Sequence, residues 1–263
     1  MNEALMYNNN IRASFIIMFK HIYILISFFI ITSCGNSSTE TNKSLSSLIQ
    51  PEFTYSQDFF DCTINSEYSL INLESFFSSF VDGYKKKDDS AIKVSVLFPD
   101  KADVIKKFII SVISDNNPQA VSGFVEDIAV KGFSDIASCS FSIYQMKGFD
   151  IVAKKIKPIS DYVFIEMLRC NYNEGYNFGT FKISIERFLN QINALDIPYS
   201  LSYIKNKDSN NDFLWINSFY DIDFKDQLSN NWIKSKDSIE IQDEFNSNSS
   251  CIDSKSYKSY QLI

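Results

Sequence analysis

The segments Phe60–Tyr68 (FDCTINSEY) and Leu168–Tyr176 (LRCNYNEGY) align without a gap at a spacing of 108 residues. Three of the nine positions hold the same residue type in both segments. A cysteine, an asparagine and a tyrosine in one register indicate an internal duplication, because self-similarity at a fixed period marks repeated structural units. The shared positions are Cys62, Asn65 and Tyr68 in the first segment and Cys170, Asn173 and Tyr176 in the second.

The residues that follow each segment predict an amphipathic helix in the same register. In both copies the apolar positions are spaced i, i+3, i+7, i+10 and i+11, which places them on one face of an α-helix. The duplication therefore extends beyond the cysteine segment into the helix. These apolar positions are Leu70, Leu73, Phe77, Phe80 and Val81 in the first copy and Phe178, Phe181, Ile185, Phe188 and Leu189 in the second.

Each copy continues with the same predicted order of elements. Two strands and a helix are followed by a Ser-Cys pair and a last, aromatic strand. Together with the first strand and helix, this order is β-α-β-β-α-β, the ferredoxin-like arrangement of α+β proteins. The predicted strands are Ile92–Phe98, Phe108–Ser114 and Phe141–Met146 in the first copy and Tyr199–Ile204, Phe213–Tyr220 and Tyr257–Leu262 in the second, and the predicted helices are Pro118–Val130 and Phe224–Ser235.

The cysteines divide between the two copies in the same way. We expect the disulfides Cys62–Cys139 and Cys170–Cys251, because each would join the first strand of a unit to the segment that enters its last strand. An exported protein passes through an oxidising compartment, where disulfides form and persist. Four free thiols or a zinc site are the alternatives, but no C-x-x-C spacing typical of structural zinc occurs.

Residues 18–34 have the pattern of a secretory signal. A short basic start at Met18–His21 precedes an apolar run at Ile22–Ile31, and two small residues precede Cys34. The sequence Ile31-Thr32-Ser33-Cys34 resembles the lipobox of bacterial lipoproteins. The resemblance implies cleavage before Cys34 and lipid attachment to its sulfur. The spacing of the signal predicts that translation starts at Met18, and an unusually long N-terminal region at residues 1–17 is the alternative. An uncleaved transmembrane helix is the alternative, but the apolar run is too short to span a bilayer.

The chain is thus predicted to have five segments. Residues 1–33 form a signal peptide and residues 34–52 a polar tether. The first α+β unit spans residues 53–152, a linker spans residues 153–161, and the second unit spans residues 162–263. Gly35 rather than aspartate follows the modified cysteine, which, by resemblance to the sorting rules of Gram-negative bacteria, implies the outer membrane of the cell envelope. The membrane is therefore one expected partner, reached through the N-terminal lipid.

Two ferredoxin-like units in tandem resemble the dimeric α+β barrel superfamily. In that superfamily two such sheets close on each other, either between chains or within one duplicated chain. Its members include small monooxygenases, NIPSNAP-type proteins and haem-binding relatives. The resemblance covers residues 53–263 and implies an α+β fold in which the two units form a pseudo-dimeric barrel within a monomer.

Charge and composition exclude several classes of function. The net charge of −7 gives no long-range attraction for nucleic acid. The only histidine is His21, in the signal, so the mature chain has no imidazole for Ser-His-Asp catalysis, for haem or for a histidine-based metal site. Neither GxGxxG nor GxxxxGK[ST] occurs. We therefore expect no cofactor, no metal and no catalytic residue of these classes.

The repeated asparagine and tyrosine are the candidate ligand-binding residues. They lie where the first strand of each unit gives way to its first helix, a usual place for the lip of a pocket. With the two tryptophans they would line an aromatic cleft for a small apolar ligand. Alternatively, asparagine makes the turn while tyrosine and tryptophan fill the core. The candidates are Asn65, Tyr68, Asn173, Tyr176, Trp215 and Trp232.

Three hypotheses for function follow. The first is a non-catalytic binding or scaffold lipoprotein of the envelope, whose partner is a small apolar ligand or another envelope protein. The second is a cofactor-free monooxygenase or isomerase of the α+β barrel type that acts on a small aromatic or lipid-like substrate. It requires a cavity of several hundred Å3 with polar groups that face inward. The third, a purely structural component, predicts a large exposed apolar patch and no pocket.

Overall fold

The structure is a computed structural model that describes residues 50–263, apart from residues 85–91, 103, 141–145, 154–159, 195–197, 207–208, 210 and 233–235. The predicted signal peptide, Cys34 and nearly all of the tether lie outside the described residues. Within the described part of the chain, no helix has the length and apolar character needed to cross a membrane.

The first half of the chain contains five strands and three helices among its described residues. The helix that follows the repeated segment and the strand after that helix lie where the sequence predicts them, and the helix Pro118–Val130 has the predicted bounds. Its start is fixed locally, because the Asn117 side chain accepts a hydrogen bond from the Ala120 amide and Pro118 occupies the first turn. The elements are β1 (Tyr55–Ile64), α1 (Leu70–Tyr84), β2 (Ile92–Pro99), β3 (Lys107–Ser114), α2 (Pro118–Val130), α3 (Phe133–Ile136), β4 (Ala137–Cys139) and β5 (Met146–Ala153).

The second half repeats this order with one helix more than the sequence predicts. The prediction ended the second helix at Ser235, whereas the structure has one helix that ends at Trp232 and another that begins at Lys236. The elements are β6 (Val163–Tyr172), α4 (Phe178–Ala194), β7 (Tyr199–Lys205), β8 (Asp212–Phe219), α5 (Ile222–Trp232), α6 (Lys236–Asn248) and β9 (Ser249–Gln261).

Eight antiparallel strands close into one barrel. The ring runs β1-β3-β2-β9-β6-β8-β7-β5 and returns to β1. Strand β4 pairs with the end of β1 on the same edge as β5, so β4 and β5 together occupy the place that β9 fills alone in the second half. The barrel closes only because β9 pairs with β2 and β5 pairs with β7. The last strand of each half therefore pairs with a strand of the other half.

The last strand of the first half differs from its prediction. The predicted strand Phe141–Met146 falls mainly outside the described residues, and β5 runs from Met146 to Ala153. The predicted linker therefore begins within a strand. The physical reason is the pairing partner, since Lys147–Ala153 are paired with β7 of the other half, a contact that periodicity within one unit does not reveal.

Both predicted disulfides are present. Cys62–Cys139 links β1 to β4, and Cys170–Cys251 links β6 to β9. In each pair the two cysteines are direct cross-strand partners. The repeated cysteines therefore occupy equivalent positions in the two halves, which excludes the free-thiol and zinc alternatives for these four residues.

Alternation along the strands separates the barrel interior from the cores beneath the helices. On β1, Phe60, Cys62 and Ile64 pack under helices α1 and α2, while Tyr55 and Phe59 point into the barrel. Successive side chains of a strand point to opposite faces. The helices thus bury their apolar faces against the outside of the barrel, and the inside is available for a site.

Candidate functional site

One end of the barrel contains a cavity of about 730 Å3 that is open to solvent. Phe59, Leu97, Ile165 and Met167 line its deep end, where they belong to an apolar cluster inside the barrel. An eight-stranded barrel is just wide enough to be filled by side chains or to hold one small ligand. The cavity shows that this barrel is not filled at this end, and its volume lies in the range of ligand pockets.

The walls of this cavity, which we call the barrel cavity, carry many small hydroxyl groups. A serine side chain occupies little volume and both donates and accepts hydrogen bonds, so these positions leave space and supply polar contacts together. Deeper in the wall, the buried Gln57 amide donates to the Ser111 hydroxyl at 2.8 Å. The serines that line the cavity are Ser95, Ser111, Ser200, Ser202, Ser218 and Ser259.

Tyr55 and Asp150 form a polar pair in the lining of the barrel cavity, and Asp150 is exposed to solvent. The Tyr55 hydroxyl donates to Asp150 Oδ1 at 3.2 Å, and the Ser202 hydroxyl donates to the same oxygen at 2.8 Å. Burial, and next the Asp150 charge, raise the pKa of Tyr55 above its ordinary value. Tyr55 is therefore a neutral donor at physiological pH, and Asp150 presents a carboxylate held by two hydroxyl groups.

Gly148 makes room for the Tyr55 ring. The two residues are direct cross-strand partners in β1 and β5. A Cβ atom at Gly148 would overlap with the Tyr55 ring. The close approach of ring and backbone thus requires glycine and helps to hold the Tyr55 hydroxyl beside Asp150.

The opposite end of the barrel has a second cavity of about 500 Å3 that also contacts Phe59 and Met167. Charged side chains line it, among them Asp61, Arg169 and Asp253. Among the described residues, no group of three or more His, Cys, Asp or Glu is arranged to hold a metal ion. The two ends of the barrel thus differ: one is rich in hydroxyl groups and the other in charges.

The two repeated asparagines stabilise the chain turn outside the barrel. The Asn65 amide donates to the Ser134 and Asp135 carbonyls at 3.1 and 2.9 Å. Asn173 makes the equivalent bonds to two carbonyls near the end of α6, both at 2.9 Å. Each asparagine ties the strand-to-helix turn to the helix that precedes the second cysteine. The two asparagines therefore do not form the predicted lip of a pocket, because both side-chain amides already donate to backbone carbonyls.

The repeated tyrosines and the tryptophans also lie outside the barrel cavity. Tyr68 packs against the core under α1, whereas Tyr176 is 40% exposed. Trp215 and Trp232 both contact the Phe188 ring, at centroid distances of 6.4 and 5.4 Å. The tryptophans belong to the core under α4, so the structure does not bring the six predicted residues together in one cleft.

The sequence analysis missed Tyr55 and Asp150. Tyr55 precedes the repeated segment, and Asp150 follows the predicted end of the last strand. The available signal was the alternation in Tyr55–Ile64, where the positions that face inward begin with Tyr55, Gln57 and Phe59. Without knowledge that the barrel closes, the polar residues on that face predict that it is exposed to solvent.

The described residues do not fit a haem held by histidine or cysteine. None of them is a histidine, and their four cysteines are all in disulfides. Haem-binding relatives that use an imidazole are therefore no model for this site. The chemistry of the barrel cavity rests instead on hydroxyl groups, an amide, a carboxylate and apolar side chains.

No protein-family model matches the sequence, and no curated protein is significantly similar to it. A candidate monooxygenase from Fusobacterium nucleatum superposes with a TM-score of 0.56 at 14% identity, over 80% of this chain and 94% of that chain. Two variants of the chlorite dismutase from Candidatus Nitrospira defluvii give TM-scores of 0.52 at 9% identity, over 81% and 83% of this chain and 94% and 96% of theirs. Identities this low establish the fold alone. The chain therefore has the dimeric α+β barrel fold, built from two halves of one polypeptide.

Proposed function

We propose that this protein is a lipid-anchored envelope protein whose barrel cavity binds a small uncharged molecule with an apolar body and hydroxyl groups. The observation that carries the proposal is the combination of an apolar deep end with the Tyr55–Asp150–Ser202 hydrogen bonds in a cavity of about 730 Å3. Ligand pockets typically join an apolar lining to a few fixed polar groups.

The polar groups of the cavity favour a hydroxylated ligand. Asp150 accepts hydrogen bonds, and a ligand hydroxyl would add a third donor or replace one of the two present. Lys93, Asp115 and Asp150 are the charged residues of the lining, so it has no surplus of positive charge for an anion. An uncharged ligand avoids the cost of burying an unpaired charge.

The lipid anchor rests on the sequence Ile31-Thr32-Ser33-Cys34. The two disulfides support export, because such bonds persist in oxidising compartments and are rare in the cytosol. Two or three acyl chains would attach the barrel firmly to a membrane. Intact mass of the membrane-extracted protein tests this part: the expected mass is that of a chain beginning at an acylated Cys34, and an unacylated chain that retains residues 18–33 would overturn it.

A cofactor-free isomerase or monooxygenase is the second candidate, and Asp150 is the observation that favours it. A carboxylate beside a bound apolar molecule can act as a general base. In an isomerisation it would take a proton from one carbon of the substrate and return it to another, so that no other reactant is consumed. The substitution Asp150→Asn distinguishes the two functions. If the protein is an isomerase, the variant loses turnover but still binds its substrate. If the protein only binds its ligand, neither the wild type nor the variant shows turnover.

Calorimetric titration with 2-naphthol, a neutral hydroxylated two-ring compound, tests the binding proposal. Ser259 is buried and lines the barrel cavity, so Ser259→Trp should occupy part of the cavity and weaken binding at least about tenfold. Ser254 lies on the same strand, is exposed and does not line the cavity, and Ser254→Trp is the matched control. Equal affinities of the two variants would contradict the proposal.

A further inference from the structure

We propose a second binding site, outside the barrel, for a neutral aromatic molecule of one or two rings. It is the groove between helix α1 and strands β2 and β9, which has a volume of about 640 Å3 and which we call the α1 groove. The site is independent of the barrel cavity, with which it shares only Gln261 among the lining residues.

The walls of the α1 groove combine apolar side chains with polar and charged ones. Helix α1 supplies one wall, and the outward-facing residues of β2 and β9 supply the floor. Two neighbouring aromatic rings lie on that floor, since Phe98 and Tyr260 are 5.9 Å apart between centroids. The main apolar residues of the groove are Leu70, Phe77, Val96, Phe98, Tyr260 and Leu262.

The duplication identifies the equivalent positions in the second half. Leu70 corresponds to Phe178 at the repeat spacing of 108 residues. Strand register supplies the other pairs, counted from the first cysteine of each disulfide: Cys62 lies opposite Phe108, and Cys170 lies opposite Phe213.

Two residues after Phe108 in β3, Ile110 lies opposite Val96 of β2. Two residues after Phe213 in β8, Trp215 lies opposite Tyr203 of β7. Val96 and Tyr203 are therefore equivalent. The partner of Val96 across the junction of the two halves is Tyr260, and the partner of Tyr203 is Phe149. The α1 groove thus has a counterpart at Phe149, Phe178 and Tyr203.

In the second half, aromatic side chains of the protein fill that space. Phe178 and Tyr203 lie 5.3 Å apart, and Phe149 lies 5.9 and 5.4 Å from them, in the range of favourable ring contacts. In the first half, Leu70 and Val96 replace two of the three rings, and the groove is open. The missing rings define the occupant, because an aromatic ligand would restore the packing that the second half makes with its own residues.

The charges of the α1 groove favour an uncharged occupant. Its one lysine, Lys258, is paired with Asp100 at 3.6 Å. Two exposed carboxylates on α1, Glu74 and Asp82, also line the groove. An anionic ligand would find no free cation among these lining residues and would be repelled by the carboxylates.

Fluorescence titration with N-phenyl-1-naphthylamine, a neutral aromatic probe, tests the proposal in a Ser259→Trp background, in which the tryptophan narrows the barrel cavity. The double change Leu70→Phe and Val96→Tyr installs the residues of the second half, and we expect at least a tenfold loss of probe affinity, about 1.4 kcal/mol. The single change Leu70→Phe should give a smaller loss and keeps the test decisive if the double variant does not fold. Ile71→Phe is the matched control, since Ile71 is 75% exposed and does not line the groove.

Absence of probe binding to the Ser259→Trp protein, or unchanged affinity after the groove is filled, would overturn the second site. The anionic probe 1-anilinonaphthalene-8-sulfonate should bind more weakly than the neutral one, and tighter binding of the anion would overturn the assigned ligand class. These outcomes are separate from the barrel proposal, which fails if Ser259→Trp leaves 2-naphthol binding unchanged.

Discussion

Tyr55 in β1 donates a hydrogen bond of 3.2 Å to Asp150 in β5, 95 residues later in the chain. The two residues meet because β5 lies between β1 of its own half and β7 of the other half. The Ser202 hydroxyl from β7 completes the group. This polar group in the lining of the barrel cavity therefore exists only where the two halves close on each other.

Gly148→Ala should weaken 2-naphthol binding by about tenfold, because the new methyl group displaces the Tyr55 ring and separates its hydroxyl from Asp150. Titration calorimetry measures the change. Gly123→Ala in helix α2 is the control, since no atom lies within 4 Å of the added Cβ there, and it should leave affinity unchanged. Equal affinity of the Gly148→Ala protein and the wild type would show that the Tyr55–Asp150 pair does not contact the ligand.

Asn65→Ala and Asn173→Ala should each lower the free energy of unfolding by about 0.5–1.5 kcal/mol, because each removes exposed hydrogen bonds to two backbone carbonyls that water can partly replace. Urea unfolding measures both changes. Neither substitution should alter the affinity for 2-naphthol. A loss of binding with unchanged stability would restore these residues to the ligand-binding role that the sequence suggested.

Removal of either disulfide should destabilise the protein. The loops span 77 and 81 residues, for which the chain-entropy model gives about 4.5 kcal/mol each. Cys62→Ser with Cys139→Ser, and Cys170→Ser with Cys251→Ser, should therefore give similar losses in urea unfolding. A loss confined to one pair would argue against the equivalence of the two halves.

Stability should fall as the pH rises above 10. Burial is the largest cause that raises the pKa values of Tyr172, Tyr199 and Tyr203 in the folded chain above the ordinary value of 10.0. Above pH 10 the unfolded chain loses protons that the folded chain retains, so each such tyrosine lowers stability by about 1.4 kcal/mol per pH unit, and this contribution is fully present only below pH 10.

Urea unfolding between about pH 9 and about pH 11 measures this slope. Tyr203→Phe should make the slope shallower. Tyr176→Phe, at a position that is 40% exposed, should change it little. A slope that does not differ between the two variants would contradict the buried position of the Tyr203 hydroxyl.

The sequence predicted the elements whose signals are local or repeated. The apolar positions of α4 and the bounds of α2 follow from periodicity and capping, and the cysteine pairs follow from the duplication. Each of these signals is visible in the sequence of one half or in the alignment of the two halves. The fold class could therefore be inferred without the three-dimensional arrangement of the two halves.

The site could not be predicted in the same way. Asp150 lies on a part of β5 that pairs with β7 of the other half, so no pattern within the first unit marks it as a strand residue. Trp215 was expected in a cleft, but alternation along β8 directs it outward to the helices, where it contacts Phe181. Closure of the barrel determines which face of each strand points inward, and closure depends on both halves together.

A crystal structure of the protein soaked with 2-naphthol tests the central claim most directly. We expect density for the two rings in the barrel cavity, against Leu97, Ile165 and Met167, with the hydroxyl group within hydrogen-bonding distance of Asp150 or Tyr55. A barrel closed at this end by its own side chains, or a cavity that contains only water while the compound is in excess, would contradict it.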